Sequence, residues 1–409
     1  MLLLILNSGS SSLKYKLIQM PEEHLLHSGR IEKIGEAKAT WSFQKGKDAF
    51  SPPETIPCPN HEKALEEVFT VLVDGRKGCL KTLEAIGAVG HRVVHGRDVF
   101  LEPLLLTTEH LTELKAFIDL APLHLPSNLA CIQACLQRLP HIPQAAVFDT
   151  AFFRDLPREA RLYPVPFEWS EQYGIRRYGF HGISYDYVTQ EASRLLAKPL
   201  SGLKLIATHL GNGASMMAFD KGRPLETSMG FTPLEGLMMG SRSGTIDAAV
   251  IPYVMEKSGA SLEEVMNTLN QQSGLTAVSG LGRDLRTILK AREQGNERAD
   301  LALGMFIHSL RKYLGAYFFV LKGIDALIFT GGIGENAPEV RAALLEGLSF
   351  LGLETDDEKN STMVHGQTGL INSSGSAVKI LVIPTDEETL IARATFQLLL
   401  KRKKQDLAI

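Results

Sequence analysis

LLLILNSGSSSLKYKLIQ (residues 2–19) and LKLIATHLGNGASMMAFDKG (residues 203–222) are two segments of this chain that read as copies of one another. A shift of 204 residues aligns four pairs: Leu6 with Leu210, Gly9 with Gly213, Ser11 with Ser215, and Tyr15 with Phe219. Each segment has an apolar strand, a turn rich in Gly, Ser or Asn, and a returning strand, which predicts a β-hairpin. Because glycine lets a turn approach a ligand and successive turn N–H groups form a concave anion site, we predict two phosphate-binding hairpins.

The composition is that of a globular protein with room for two to three domains, since the chain has 409 residues and 44% hydrophobic content. Its 43 basic residues are scattered and nearly balanced by 46 acidic ones, which leaves a net charge of −3. Such a balance gives no electrostatic case for binding nucleic acid or an acidic membrane. Small-molecule chemistry is therefore favoured, and neither a nucleic acid nor a membrane is expected as a partner.

The four cysteines form no paired C-x-x-C motif, which favours a reducing cytosol over a disulfide scaffold. Cys131 and Cys135 lie four apart on a predicted helix, where core packing is favoured over metal binding because two ligands do not close a site.

The MLLLIL start lacks a basic region and its apolar stretch ends at Asn7, so we predict a first strand and no signal peptide. Lys322 and Asp325 interrupt the best apolar run, so we expect no membrane helix. We expect a cytoplasmic location.

Hydrophobic periodicity predicts strands and helices that alternate in both halves of the chain, which is typical of α/β proteins. In the first half we predict strands at 2–6, 85–94 and 144–148 and helices at 61–73, 108–120 and 126–138. In the second half we predict strands at 204–209, 326–330 and 379–383 and helices at 261–270 and 299–322. A stretch rich in Pro, Gly and Arg begins at Asp149 and places the junction near 149–153. We therefore predict two lobes, 1–150 completed by a C-terminal helix 386–409, and 151–385, with a ligand cleft between them.

Eight motifs, in chain order, resemble those of the acetate kinase family: NSGSSSLK, GHRVVHG, FDTAFF, RRYGFHGIS, THLGNGAS, TSMGFTPLEGLMMGSRSG, FTGGIGEN and PTDEE. The resemblance covers about residues 1–395, and the block at 227–244 is its most specific part. It implies two duplicated ribonuclease-H-like lobes of the actin, Hsp70 and sugar-kinase type. It also implies a homodimer that transfers the γ-phosphoryl group of ATP reversibly to acetate, in line and with Mg²⁺, giving acetyl phosphate and ADP.

Four side chains are candidates for the catalytic groups. Arg92 in GHRVVHG and Arg242 in GSRSG have Gly and His neighbours, and their guanidinium forks match carboxylate and phosphate oxygens. His181 in YGFHG could donate to a phosphoryl oxygen or be a buried structural histidine. Asp149 closes a strand, where active sites of α/β sheets lie, or caps the following turn.

The resemblance implies that Arg92 and Arg242 bind the acyl substrate and stabilise the in-line transition state, together with His181. It also makes Asp149 the catalytic carboxylate. We favour positioning of an arginine or of magnesium-bound water over proton abstraction for Asp149, because a carboxylate substrate is already ionised. As a hypothesis, closure of the lobes excludes water and brings Arg92, His181 and Arg242 together.

Asn7 and Glu387 supply hard oxygen ligands for Mg²⁺, which keeps several waters and takes one or two protein oxygens; Mn²⁺ is the alternative ion. Glu388 competes with Glu387, or is a first-turn helix acid, and the resemblance favours Glu387. Lys14 lies on the returning strand of the first hairpin, within reach of phosphate, unless it is an exposed strand lysine.

Two Gly-rich turns of the second lobe are candidates for the nucleotide site. The turn GIGEN follows a strand and precedes a helix near Pro338, a junction that offers free N–H groups to phosphates. The candidate residues of the two turns are His209, Leu210, Gly211, Asn212 and Gly213, and Gly332, Ile333, Gly334, Glu335 and Asn336. The resemblance adds Asp284, Leu285 and Arg286 around base and ribose, although Gly282 and Arg283 replace the usual Ser-Ser.

Other departures from the family pattern are Arg97 for Gly, Ile183 and Tyr185 for Thr and His, and Thr245 for Asp; none removes a named catalytic group. The small apolar acyl pocket of the family matches Val94, Leu123, Phe180 and Pro233. Such a pocket discriminates one methylene by only about 1–3 kcal/mol, so a propionate or other short-chain acyl kinase is the alternative function. A nucleotide-switched binding protein resembling actin or Hsp70 is a more distant one, disfavoured because no peptide-binding domain follows the second lobe.

Overall fold

The computed structural model describes residues 1–122 and 124–406, and the chain divides into two compact units. Unit 1 comprises Met1–Arg154 and Asp386–Ile409, and unit 2 comprises Asp155–Thr385. Each unit contains one mixed β-sheet, so the predicted α/β class with two sheets is confirmed. Among the described residues, no helix combines the length and the apolar character needed to cross a membrane.

The sheet of unit 1 has eight strands in the order β5-β4-β3-β2-β1-β6-β8-β7. The strands are β1 Leu2–Ser8, β2 Ser12–Gln19, β3 His24–Glu32, β4 Ala39–Lys45, β5 Glu54–Ile56, β6 Ala88–Val93, β7 Leu104–Leu105 and β8 Gln144–Phe148. The helices are α1 His61–Val73, α2 Thr108–Lys115, α3 Leu125–Arg138 and the C-terminal helix Glu387–Asp406. The helix predicted over 108–120 is shorter in the structure, because Phe117 leaves the helical backbone region and a separate 3₁₀ turn follows.

Strand β1 is central in this sheet and is covered on both faces, which explains its unbroken apolar sequence. On one face, Leu4 and Leu6 belong to a core cluster that also contains residues of α1 and α3. Cys131 and Cys135 lie in that cluster as buried free thiols. On the other face, Ile5 lies beside the C-terminal helix.

The sheet of unit 2 has six strands in the order β11-β10-β9-β12-β14-β13. The strands are β9 Lys204–Leu210, β10 Ala214–Asp220, β11 Arg223–Thr227, β12 Ala326–Thr330, β13 Gly369–Leu370 and β14 Lys379–Val382. The helices are α4 Arg158–Arg161, α5 Phe167–Tyr173, α6 Gly182–Leu195, α7 Val250–Ser258, α8 Leu262–Gln271, α9 Gly274–Ser279, α10 Leu285–Glu293, α11 Glu297–Leu321, α12 Gly331–Asn336, α13 Pro338–Leu345 and α14 Asp357–Thr362.

The two sheets share one plan. Each contains three antiparallel strands, β3-β2-β1 and β11-β10-β9, and unit 1 adds β4 and β5 beyond β3. Each continues with two parallel strands, β6-β8 and β12-β14, and adds a short antiparallel strand at the far edge. The same order and the same sense of these six strands in each sheet indicate a duplicated unit.

Both predicted hairpins are confirmed, but their predicted alignment is wrong. In the first hairpin Ser8 pairs with Leu13, so residues 9–12 form the turn. In the second, Leu210 pairs with Ala214, so the turn is residues 211–213. Gly9 and Gly211 each open their turn, and Gly213 closes the second one. Because the turns differ in length by one residue, no single offset aligns both strands of both hairpins.

Candidate active site

The charged site of unit 1 is centred on Arg92, near the end of β6. Its Nε and Nη2 donate to the two carboxylate oxygens of Asp149 at 3.1 and 2.6 Å, as a bidentate pair. Its Nη1 donates to Asn7 Oδ1 at 3.1 Å and lies 3.2 Å from Glu387 Oε2. One guanidinium therefore connects its own motif with three others that are far apart in the chain.

The parallel part of the sheet brings these residues together. Asn7 lies at the end of β1, Arg92 near the end of β6, and Asp149 directly after β8. Strands β1, β6 and β8 are neighbours in parallel, so their carboxyl ends meet at one edge of the sheet. Asp149 is only 1% exposed there.

The charge of Arg92 is favoured by its surroundings. Burial alone would lower the pKa of Arg92, but the negative charges of Asp149 and Glu387 outweigh burial and raise the pKa above its ordinary value. The guanidinium is therefore a permanent cation that lies between two buried carboxylates.

Both glutamates of PTDEE reach Asn7, although the sequence favoured Glu387 alone. Asn7 Nδ2 donates to Glu387 Oε2 at 2.8 Å and to Glu388 Oε1 at 2.9 Å, and both glutamates are buried in the first turn of the C-terminal helix. Within residues 1–122 and 124–406, no three or more His, Cys, Asp or Glu side chains form a group that could hold a metal ion. Paired carboxylates still fit Mg²⁺, which is often bound by only one or two protein oxygens.

The two lysines of β2 have different surroundings. Lys14 is in antiparallel register with Asn7 and is exposed. Lys16 lies 2.6 Å from Asp386 Oδ2 in a partly buried ion pair, which the sequence analysis missed. The acidic residue that precedes the glutamate pair of PTDEE was the available signal.

The acyl-pocket residues predicted in unit 1 are only partly described. Val94 is buried, and its backbone N–H donates to Asn128 Oδ1 at 3.0 Å. Asn128, on α3, also donates from Nδ2 to Ser8 O at 2.5 Å, so it ties the end of β1 to the end of β6. The sequence analysis missed Asn128. Leu123 lies outside the described residues.

In unit 2, His181 and Arg242 point to the same space beside Gly213. A methyl group at Gly213 would lie 3.5 Å from His181 Nε2 and 3.6 Å from Arg242 Nη1. His181 precedes α6 with a φ of +58°, a left-handed conformation that non-glycine residues rarely adopt and that occurs often at functional sites. The two catalytic side chains predicted in this unit are therefore brought together.

Arg242 is held differently from Arg92. Its Nη1 donates to the backbone oxygen of Pro233 at 3.1 Å, and burial lowers the pKa of Arg242 to about 10. Arg242 still carries its charge at neutral pH, but the folded protein disfavours that charge. Phe180 is buried and Pro233 is half-buried.

The HLGNG turn is confirmed as a hairpin turn after β9. Gly211 N–H donates to Gly213 O at 3.0 Å, and Asn212 O accepts from Gly240 N–H at 3.0 Å. His209 Nδ1 lies 2.8 Å from Ser184 Oγ, and Leu210 is fully buried. The turn is therefore tied to the loop that carries Arg242.

GIGEN is not a turn, as predicted, but most of the short helix α12. The special backbone conformation belongs to the preceding Gly331, whose φ is +76° and where a Cβ would lie 2.7 Å from Leu210 O. Because Gly331 turns the chain within one residue, the next residues can begin a helix at once. Glu335 Oε1 accepts from Gly331 N–H at 2.8 Å and from Thr385 N–H at 3.1 Å, and Asn336 Oδ1 accepts from His365 N–H at 2.9 Å.

The residues that the resemblance assigns to the base and ribose of the nucleotide lie at the N-terminus of α10. Asp284 caps α10 by accepting from Arg286 N–H at 3.0 Å, and Arg286 Nη2 lies 2.8 Å from Asp284 Oδ2. Leu285 is buried, whereas the Arg286 side chain is 90% exposed.

Arg341 is a buried arginine beside α12 that the sequence analysis missed. It is fully buried on α13 and donates from Nη1 to Gly334 O at 2.8 Å and Glu335 O at 3.0 Å, which fixes the end of α12. It also donates to Asn360 and to Met363 O, and burial lowers its pKa to about 10. An arginine within the apolar helix PEVRAALL was the available signal.

The fold and the two sites define a class of protein. It is a duplicated α/β protein with guanidinium and carboxylate groups at the ends of its strands. A model of the acetokinase family matches residues 2–393. The acetate kinase of Dictyoglomus thermophilum is 46% identical over 402 residues, which is 98% of this chain and 100% of that protein. The chain therefore belongs to the acetokinase family, and the resemblance stated from the motifs is confirmed.

Two solved structures are similar to this chain along almost its full length. The crystal structure of Porphyromonas gingivalis acetate kinase has a TM-score of 0.88 at 40% identity and covers 97% of this chain and 99% of that chain. A propionate kinase from Francisella tularensis has a TM-score of 0.88 at 38% identity, and the match covers 96% of this chain and 98% of that chain.

Proposed function

We propose that this chain is an acetate kinase, which transfers the γ-phosphoryl group of ATP reversibly to acetate and forms acetyl phosphate and ADP. The observation that carries the proposal is the match to the acetokinase family from residue 2 to residue 393, with 46% identity to an acetate kinase over 98% of this chain. The groups that phosphoryl transfer needs, namely cations for the phosphoryl oxygens and carboxylates for a metal, are all present among the matched residues.

In unit 1, Arg92 would bind the substrate carboxylate with the second N–H of Nη2, since Nε and the other Nη2 N–H go to Asp149 and Nη1 goes to Asn7 and Glu387. Asp149 would hold Arg92 in place, since its two oxygens already accept two hydrogen bonds from it. This geometry supports positioning over proton abstraction. Val94, buried beside this site, would contact the acyl methyl group.

Asn7, Glu387 and Glu388 are the residues that would hold Mg²⁺, with Mn²⁺ as the alternative ion. When bound, the ion would neutralise charge on the phosphate oxygens of the nucleotide. Lys14, exposed opposite Asn7 in the hairpin, would contact the same phosphates.

In unit 2, His181 and Arg242 would donate to the equatorial oxygens of the transferring phosphoryl group. Their shared position beside Gly213 supports this assignment. Backbone groups of the HLGNG turn and of α12 would hold the ATP phosphates, and Asp284, Leu285 and Arg286 would border base and ribose. No covalent intermediate is needed, because direct in-line transfer asks the protein only for position and charge.

The acyl substrate is tested by trapping acyl phosphate with hydroxylamine in the presence of ATP and Mg²⁺. We expect the highest kcat/KM with acetate and a value about 10- to 200-fold lower with propionate, the range that one methylene gives in an apolar pocket. Reactions without ATP serve as the control. ATP hydrolysis that is indifferent to acetate would indicate a nucleotide-switched binding protein instead.

A propionate kinase is the second candidate function. The specific observation for it is the similarity to the Francisella tularensis propionate kinase, whose TM-score equals that of the acetate kinase from Porphyromonas gingivalis. A higher kcat/KM with propionate than with acetate would assign this function and reject the first.

Gly213→Ala should reduce acyl phosphate formation at least about tenfold while leaving the fold intact, because small displacements of reacting groups have large effects on rate. The new methyl group would make ordinary contacts of 3.5–3.6 Å with His181 and Arg242, so it would fit but would occupy the space between them. Gly202→Ala is the matched control, since its methyl group would contact only Pro199 at 4.0 Å. If Gly213→Ala retained the wild-type kcat/KM, the transferring phosphoryl group would not occupy this space.

A homodimer and a cytoplasmic location complete the proposal. Large apolar side chains on α7, α8 and α11 of unit 2 support the dimer: Tyr253, Leu262, Leu301, Met305 and Phe319 are exposed. The four free cysteines support a reducing compartment.

A further inference from the structure

We propose that Tyr185 and Ser215 are positioning residues that hold His181 as the neutral ring whose proton lies on Nε2. The inference rests on the proposed function, in which His181 Nε2 donates to a phosphoryl oxygen. It goes beyond that function because it assigns the proton of His181 to one ring atom and names the two residues that place it there.

Three elements of unit 2 bring the hydroxyl groups to His181. Tyr185 lies in the first turn of α6, four residues after His181 and therefore on the same side of the helix. Ser215 lies on β10 and pairs with His209 of β9. Ser215 Oγ is 2.8 Å from His181 Nδ1 and 2.5 Å from Tyr185 Oη, and both Ser215 and Tyr185 are fully buried.

The direction of the two hydrogen bonds follows from the chemistry of the groups. Burial raises the pKa of Tyr185 well above its ordinary value, so the phenol keeps its proton. A phenol is a stronger hydrogen-bond donor than an aliphatic alcohol, so Tyr185 donates and Ser215 accepts. Ser215 then directs its own proton to His181 Nδ1, which can accept only when the ring proton is on Nε2.

The plane of the ring is fixed from another side. The rings of His181 and His209 stack with centroids 4.1 Å apart and an interplanar angle of 21°. His209 is itself held by Ser184 Oγ, 2.8 Å from its Nδ1. The stacking and the bond to Ser215 aim Nε2–H at the space beside Gly213, where Arg242 Nη1 also points.

Tyr185 thus has a role that the sequence did not suggest. Position 185 is one of the departures from the family pattern, with tyrosine in place of the usual histidine. The structure assigns the support of His181 to a hydroxyl pair, of which one member is the replacement itself.

The test is the ¹⁵N NMR spectrum of the full-length protein labelled in histidine, with His181 assigned from the spectrum of His181→Gln. We expect shifts that report a neutral ring with its proton on Nε2. A proton on Nδ1 in the wild-type protein would overturn the proposal without any further variant. The spectrum does not depend on turnover, so absence of acyl phosphate would reject the proposed function alone.

Tyr185→Phe tests the first bond of the pair. Without the phenol, Ser215 is free to accept from Nδ1–H, so we expect a mixture of the two neutral forms. We also expect kcat to fall about 10- to 100-fold with little change in the KM values for ATP and acetate, because orientation of the donor is lost and ground-state binding is not. Unchanged ¹⁵N shifts and kcat would overturn the role of Tyr185.

Two further variants separate positioning from a general effect on folding. Tyr173→Phe removes an exposed phenol on α5 and should change neither the spectrum nor kcat. Ser215→Thr keeps a hydroxyl group and should keep the proton on Nε2, whereas Ser215→Ala should not. If Ser215→Ala retained the wild-type ¹⁵N shifts, Ser215 would have no part in placing the proton.

Discussion

Replacing Arg242 by methionine should lower kcat for acyl phosphate formation by about 10²- to 10³-fold, the usual effect of removing one preorganised donor to transition-state charge. Arg242 Nη1 and His181 Nε2 border the same space at Gly213, so the guanidinium is placed to donate to a phosphoryl oxygen. Steady-state kinetics with the hydroxylamine assay measure the effect.

The same substitution should leave the free energy of unfolding unchanged or increase it. Burial lowers the pKa of Arg242 to about 10, which means that the folded protein disfavours its charge. At neutral pH the residue is charged in both the folded and the unfolded states, so this penalty is present in full. A methionine of similar length removes the charge and keeps much of the packing.

Urea denaturation of the wild-type protein, Arg242→Met and Arg242→Lys measures stability. Arg242→Lys keeps a cation but not the planar fork, so it should recover little of kcat. A large loss of stability in Arg242→Met together with near-normal kcat would make Arg242 a structural residue.

Arg92→Met should lower both activity and stability. Arg92 forms a bidentate pair with the buried Asp149 and lies 3.2 Å from Glu387 Oε2. Without it, two carboxylates remain in a buried site with no guanidinium between them, and removing one partner of a buried ion pair costs about 3–5 kcal/mol. We also expect kcat to fall by about 10²-fold or more, because the cation for the substrate is lost.

A double-mutant cycle with Asp149→Asn isolates the pair. Asp149→Asn removes one of the unpaired charges, so the double variant should be more stable than Arg92→Met alone. Its activity should stay low, because the substrate cation is still absent. Additive losses of stability in the cycle would show that the two side chains do not stabilise one another.

The two arginines therefore form an internal comparison. Carboxylates raise the pKa of Arg92, whereas burial lowers the pKa of Arg242. Replacing Arg92 should lower both activity and stability. Replacing Arg242 should lower activity but leave stability unchanged or increase it. A functional charge that costs stability is expected where a site is built for a ligand and not for the fold.

Much of the secondary structure was predictable because its signals are local. The bounds of β8 at Gln144–Phe148, β12 at Ala326–Thr330 and α1 at His61–Val73 agree with the prediction, since apolar periodicity and turn residues lie within a few positions of one another. The motif strings also sufficed to predict the family.

The errors arose where distant parts of the chain decide the conformation. Gly331 is confined by the backbone of Leu210, so the turn lies one residue before GIGEN and the next residues are helical. The pairing of Ser215 with Tyr185 and His181 spans about thirty residues and depends on which face of β10 meets α6. No window of sequence contains both partners.

The sequence by itself determined the two hairpins, the alternation of strands and helices, the family, and the residue types that the chemistry uses. Only the tertiary structure decided that both Glu387 and Glu388 reach Asn7, that Arg92 is locked to Asp149, and that a tyrosine supports His181. The reason is physical. Periodicity is a property of neighbouring residues, whereas a hydrogen bond or an ion pair depends on which strand ends the folded sheet brings together.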